Sequence, residues 1–218
     1  MKYLKILSVF LVLLMVCSSC KKDKNKVIIN GIVLDPNAQS FVEGVKVSFM
    51  ASKLSGGTYN SGYVEIANTV SDAQGKFTFE VDEGQVSGYR FFVSKPNYFY
   101  VIKDYTADQI TAGEPHDLTF NIYAEGYVKL VVENSTPLDT NDFIAYSFSG
   151  GYVDCDQCCN NVMQHGKGMN YNITWKCKTY GSQNVTVTYY VTKNFVTNMF
   201  TKSFYCNPFD TVSCVINY

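Results

Sequence analysis

Eight cysteines carry most of the chemistry that this 218-residue chain offers, and their spacing divides them into two groups. Cys17 and Cys20 follow a short apolar run near the N-terminus. Cys155, Cys158, Cys159, Cys177, Cys206 and Cys214 all fall in the last third of the chain. An even number of cysteines in an exported chain meets an oxidising compartment, where thiols pair as disulfides. Adjacent residues rarely meet the required Cβ geometry, so Cys158 and Cys159 are not expected to pair with each other. The expectation is therefore that the loop triplet Cys155, Cys158 and Cys159 staples to the strand cysteines Cys177, Cys206 and Cys214, each bridge adding roughly 2–4 kcal/mol.

The same residues allow sharper chemistry, and each version lacks a part. Cys155-x-x-Cys158 with Cys177 and His165 supplies thiolate and imidazole ligands for zinc, but a second C-x-x-C is missing. Asp154, Asp156 and Asn160 match the opening of a calcium loop, except that Cys158 stands where a further oxygen ligand belongs. His165 near Cys158 or Cys159 resembles a thiol nucleophile with its base, yet a disulfide-rich loop accounts for these residues with less. Only His116 and His165 exist as histidines. No nucleophile elbow, H-E-x-x-H helix, phosphate-cradling glycine loop or carboxylate pair is present. The reading is a protein with no catalytic residues, no metal and no cofactor.

Binding chemistry is carried by aromatic residues. Tyr98, Phe99 and Tyr100 follow the Pro96-Asn97 turn, where rings at a strand end can stack on a sugar or peptide face. The competing role is core filling, the commoner fate of strand aromatics. Tyr59 and Tyr63 border a long polar loop in the same way. Asp210-Thr211-Val212 has the form of a short O-glycan acceptor.

These residues are placed by what surrounds them. Lys2 and Lys5 precede an apolar run over residues 6–16, which is the length of a signal-peptide core and too short to span a bilayer. Ser18-Ser19-Cys20 then gives way to Lys21-Lys22-Asp23-Lys24. This arrangement resembles the lipobox of bacterial lipoproteins of the Bacteroidetes type, although Cys17 stands where leucine is usual. The resemblance implies acylation at Cys20 after removal of residues 1–19, a tether over 20–26, and a membrane held through the lipid. The expected location is the outer membrane or cell surface, facing the periplasm or the exterior.

Loss of the signal takes Lys2 and Lys5 and no acids, so 16 basic and 19 acidic side chains remain. A net charge of about −3 is no nucleic-acid footprint. Apolar residues make up 46% and aromatics 15%, enough to build a core. Seventeen tyrosines and fifteen phenylalanines, with no long amphipathic helix, point to an all-β chain. Val45, Val47 and Phe49 alternate with period two, as do Phe77, Phe79 and Val81, and later Val128, Leu130 and Val132. Tyr171, Ile173, Trp175 and Cys177 share one face, and so do Val185, Val187, Tyr189 and Val191. Further strands are expected over 27–34, 63–70, 89–94, 117–124, 142–149, 200–206 and 211–218.

Residues 29–35 (Ile-Asn-Gly-Ile-Val-Leu-Asp), Gly44-Val45-Lys46-Val47 and residues 69–79 (Thr-Val-Ser-Asp-Ala-Gln-Gly-Lys-Phe-Thr-Phe) resemble the carboxypeptidase regulatory-like domain. The match spans about 27–124, with Ser71 where threonine is common. It implies a seven-stranded transthyretin-like sandwich that acts as an accessory module without peptidase residues. Residues 125–218 resemble no family and read as a second, cysteine-rich sandwich.

The expected fold is two consecutive β-sandwiches. The expected function is a non-catalytic envelope protein that binds a glycan or another surface protein. The alternative is a fimbrial or stalk subunit joined by strand exchange, as in Bacteroidetes pilins that pair transthyretin-like domains. Against that, the single arginine, Arg90, lies inside an expected strand and offers no trimming site near the N-terminus.

Overall fold

The computed structural model describes residues 26–55, 58–59 and 62–218, and every regular element among them is a β-strand. Cys20, the expected lipid site, and the side chain of Tyr59 lie outside the described residues. In the N-terminal half the strands are β1 (Lys26–Asp35), β2 (Ser40–Phe41), β3 (Lys46–Ser55), β4 (Thr58–Tyr59) and β5 (Val64–Val70). They continue with β6 (Lys76–Asp82), β7 (Val86–Ser94), β8 (Tyr98–Phe99), β9 (Val101–Thr106) and β10 (Pro115–Asn121).

One sheet sets β1 between parallel β10 and antiparallel β6, with β2 continuing the β6 side. The other runs β5–β3–β7–β9, with β4 beside the end of β3. Alternation drives the packing: Val27, Ile29 and Val33 of β1 and Val47, Phe49 and Ala51 of β3 are all buried between the sheets. The Phe49 ring stacks on Phe91 at 4.6 Å between centroids, and Phe77 stacks on Phe120 at 5.8 Å.

The turn between β5 and β6 is held by its own side chains. Asp72 Oδ1 accepts from the amides of Gln74 (2.9 Å) and Lys76 (2.8 Å). Gly75 takes the left-handed conformation at φ +69°, open to it at little cost. The buried Ser71 hydroxyl accepts from Val45 N and donates to Val42 O, tying the turn to the segment before β3.

The C-terminal half contains β11 (Tyr123–Glu133), β12 (Phe143–Gly150), β13 (Gln164–Lys167), β14 (Asn172–Tyr180), β15 (Gln183–Lys193), β16 (Val196–Cys206) and β17 (Thr211–Asn217). Sheet β14–β11–β17 faces sheet β13–β12–β15–β16. Val128, Leu130 and Val132 meet Ile144, Phe148, Val185 and Val187 in a second core. The turn-rich stretch after β11 is pinned by the buried Asp142, which accepts from Asn134 Nδ2 (2.9 Å) and Leu138 N (2.8 Å). Those hydrogen bonds hold its carboxyl below the usual carboxylate range, against the cost of burial and with help from Lys193.

The two cores draw on residues 27–122 and 128–218, so a chain that begins at Lys21 contains both. Between them there is no linker. The division expected at 124/125 falls inside β11, whose first residues Tyr123 and Ala124 pair with β8 and whose remainder pairs with β14 and β17. Ala124 N donates to Asp35 Oδ2 (3.0 Å), Glu125 N to Asn97 O (2.8 Å) and Gly181 N to Ala124 O (2.7 Å). Asp35 is buried, and its other oxygen accepts from the amides of Asn37 (3.0 Å) and Ala38 (3.2 Å).

Three expectations about the strands change. Residues 101–106 form β9, where only a strand end at Tyr98–Tyr100 was expected. Residues 164–167 form β13 inside the expected loop. The strand expected over 200–206 begins four residues earlier, at Val196. Asp35→Ala leaves three backbone amides without their acceptor. It is expected to cost about 3 kcal/mol in urea unfolding of a chain starting at Lys21.

Candidate functional site

A groove of about 520 Å³ opens where the two halves meet. The chain segments that wall it are β8 with Tyr100, the start of β11, the end of β14, and the cysteine loop before β13. All three aromatic residues singled out from the sequence, Tyr98, Phe99 and Tyr100, line it together with Tyr180.

Their roles differ. Tyr98 packs on the N-terminal core, meets Phe209 at 5.4 Å edge-on and has Lys95 Nζ 5.2 Å from its ring centroid. Burial, with Asp35 nearby, pushes its phenol pKa up. Phe99 sits edge-on to Tyr180 at 5.0 Å, and Tyr180 stacks on Tyr123 at 4.3 Å. These rings close the junction. Tyr100 is 65% exposed, and its one ring contact among the described residues is Phe92 at 5.6 Å.

The opposite wall is polar. Lys178 Nζ donates to Glu125 Oε1 at 2.8 Å and Tyr127 Oη to Glu125 Oε2 at 2.7 Å. Burial raises the Glu125 carboxyl, but the Lys178 and Tyr127 hydrogen bonds outweigh it and the net shift is downward. Asp154, Asp156 and Gln157 complete this side, and no salt bridge among the described residues neutralises either aspartate. The groove thus combines one open aromatic face with hydrogen-bonding acid and amide groups.

Disulfides shape that wall, with a pairing that corrects the expectation. Cys159 bonds Cys177, a loop-to-strand staple of the expected kind. Cys155 instead bonds Cys158 within the loop. The reason is local: Cys158 N donates to Cys155 O at 2.9 Å, folding the four residues into a turn that brings the two sulfurs together. The loop then lies along β14, with Lys178 N donating to Gln157 O and Cys159 N to Lys178 O.

Cys206 and Cys214, both expected in bridges, are buried free thiols. Cys206 packs over Gly126, where an added Cβ would lie 2.5 Å from its sulfur. Cys214 pairs with Leu130, four residues further along β11, or about 13 Å away. Bridging requires Cα atoms within roughly 7 Å. Cys177 is equally out of reach of Cys214, since β11 lies between their strands. Burial raises both thiol pKa values, which suppresses the reactive thiolate.

Because Cys155, Cys158 and Cys177 are in disulfides, the thiolate set imagined for zinc does not exist. His165 lies on β13, stacked on Phe143 at 5.6 Å. Among the described residues no group of three or more His, Cys, Asp or Glu side chains is placed to hold a metal ion. Tyr63 lies under the Arg90 guanidinium at 4.2 Å, and Arg90 forks onto Asp104 in β9. Thr211 is exposed at the start of β17. Sequence reasoning missed Glu125, Lys178 and Tyr180, because only the pairing of β11 with β14 brings them to the cysteine loop.

No family model and no curated protein matches the sequence. Solved structures overlap it slightly. The Bacillus anthracis TIE protein is 14% identical at a TM-score of 0.38, over 88% of this chain and 34% of that one. A streptococcal ancillary pilin is 14% identical at 0.34, over 89% and 62%. GBS52, the minor pilin of Streptococcus agalactiae, is 12% identical at 0.34, over 88% and 94%. The chain therefore spans about a third of the TIE protein and under two thirds of the ancillary pilin.

In native protein Cys206 and Cys214 are expected to resist a thiol reagent. A chain starting at Lys21 should release two thiols in denaturant and six after reduction. Thiol titration in the three states checks the pairing.

Proposed function

We propose that this protein is a non-catalytic, lipid-anchored component of a bacterial cell envelope that binds a glycan in the groove between its halves. The observation that carries the reading is the groove itself: the exposed Tyr100 lines it together with Asp154, Asp156 and Gln157. A sugar ring has an apolar face that stacks on an aromatic ring and a rim of hydroxyls that donate to carboxylate and amide oxygens. The rigid junction holds both walls, so little ordering cost falls on binding. The N-terminal half then works as an accessory module of the carboxypeptidase regulatory-like type, and the disulfide-braced half supplies the polar wall. Anchoring rests on Lys2, Lys5, the apolar run and Ser18-Ser19-Cys20.

A second reading, a stalk subunit built by strand exchange, is favoured by one specific observation. β16 is an eleven-residue strand that pairs, among the described residues, with β15 alone.

Tyr100→Ala is expected to weaken binding on a glycan array about tenfold while leaving the fold intact. Binding unchanged in both Tyr100→Ala and Asp156→Ala removes the groove reading. Separately, Cys20→Ser is expected to move the full-length protein from the membrane to the soluble fraction of the cell. A variant that stays membrane-bound and still takes up labelled fatty acid removes the anchor assignment.

A further inference from the structure

Edge strands in soluble proteins are usually blunted by charge, proline, a bulge or a cover, because their free backbone groups recruit other strands. β16 has almost none of these. It pairs with β15 from Val196 to Cys206 without a register shift, and its other side makes no backbone hydrogen bond to the described residues. It contains no proline, and its one charge, Lys202, donates its ammonium to Val215 O. Val196, Met199, Phe200 and Tyr205 are all exposed, and Phe195, at the tip of the hairpin, is 90% exposed.

The order of these residues says what partner fits. Even-numbered positions of β16 lie on the face that carries Val185 and Val187 of β15, and odd-numbered positions lie on the other. When two copies of the strand run antiparallel about a two-fold axis at Phe200, Phe200 faces itself and Val196 faces Phe204 of the second copy. Thr197 faces Ser203, and Met199 faces Thr201. Lys202 meets the side-chain carbonyl of Asn198 rather than another lysine. Moving the axis one residue, to Thr201, instead sets Phe200 against Lys202 and Phe204 against Asn198. The first register matches apolar with apolar and polar with polar at every pair from Val196 to Phe204 except Met199 with Thr201.

We propose that β16 is a homotypic docking edge: two copies of this chain join antiparallel through β16, with Phe200 on the two-fold axis, fusing two four-stranded sheets into one. The contact is isologous, so it closes at two copies and does not propagate. In this it departs from the strand-exchange stalk, which requires a head-to-tail contact, and it stands whether or not the groove binds a glycan.

Sedimentation of the chain starting at Lys21, at concentrations up to about 0.1 mM, is expected to show a monomer–dimer equilibrium and nothing larger. Phe200→Glu and Phe200→Lys each place like charges face to face on the axis and are expected to weaken dimerisation at least about tenfold. An equal mixture of the two variants is expected to recover dimers, which a misfolded hairpin would not do. A wild-type monomer throughout, a ladder of higher species, or an equimolar mixture that stays monomeric overturns the proposal.

Discussion

Asp35 is a buried carboxylate whose two oxygens are met by backbone N–H groups from both halves of the molecule. Stripping a carboxylate of water costs several kcal/mol unless hydrogen bonds replace the lost hydration, and amide donors to a charged acceptor are among the stronger ones available. The compensation here is positional. One oxygen fixes the turn after β1 through Asn37 and Ala38, and the other fixes the amide of Ala124 at the start of β11. The carboxylate is satisfied only when the turn and β11 are in place together. The Asn37 side chain adds a bond from Nδ2 to Gly181 O on the far side of the junction. The groove inherits its shape from that arrangement, because one wall belongs to β8 and the other to the loop held on β14.

The cysteine loop shows a related economy. A four-residue bridge closes little chain entropy on its own, and the loop-closure relation assigns more to the Cys159–Cys177 staple. The Cys155–Cys158 turn instead presents Asp154, Asp156 and Gln157 in fixed positions on the groove. Two thiols stay buried nearby without joining the framework, since β11 and its rise per residue keep them apart.

Much of the fold was legible because its signals are local and periodic. Val45, Val47 and Phe49, or Val128, Leu130 and Val132, alternate cleanly, since each strand buries one face. The Ser71 to Gly75 turn was legible because its chemistry is contained in five residues. β9 was not legible: Ile102 and Lys103 are exposed and the strand carries little apolar alternation. The start of β16 escaped for the same reason, as both its faces meet solvent. In the site, Tyr98, Phe99 and Tyr100 could be named from a turn and a run of rings, but their partners could not. Glu125, Lys178 and Tyr180 are separated from them by 25 to 82 residues, and pairing register leaves no mark in composition. The cysteine pairing failed at Cys155 because counting strand and loop cysteines ignores a turn that folds the loop onto itself.

The placement of β1 has a mechanical consequence. Any pull on the residues ahead of Lys26 enters the body along β1, which is flanked on both sides, by β10 and by β6, over most of its length. Load applied parallel to a strand shears all of its ladder bonds at once, whereas load across a strand end opens them one at a time. Because β11 carries backbone bonds in both halves, load that enters the first sandwich passes to the second along a continuous strand.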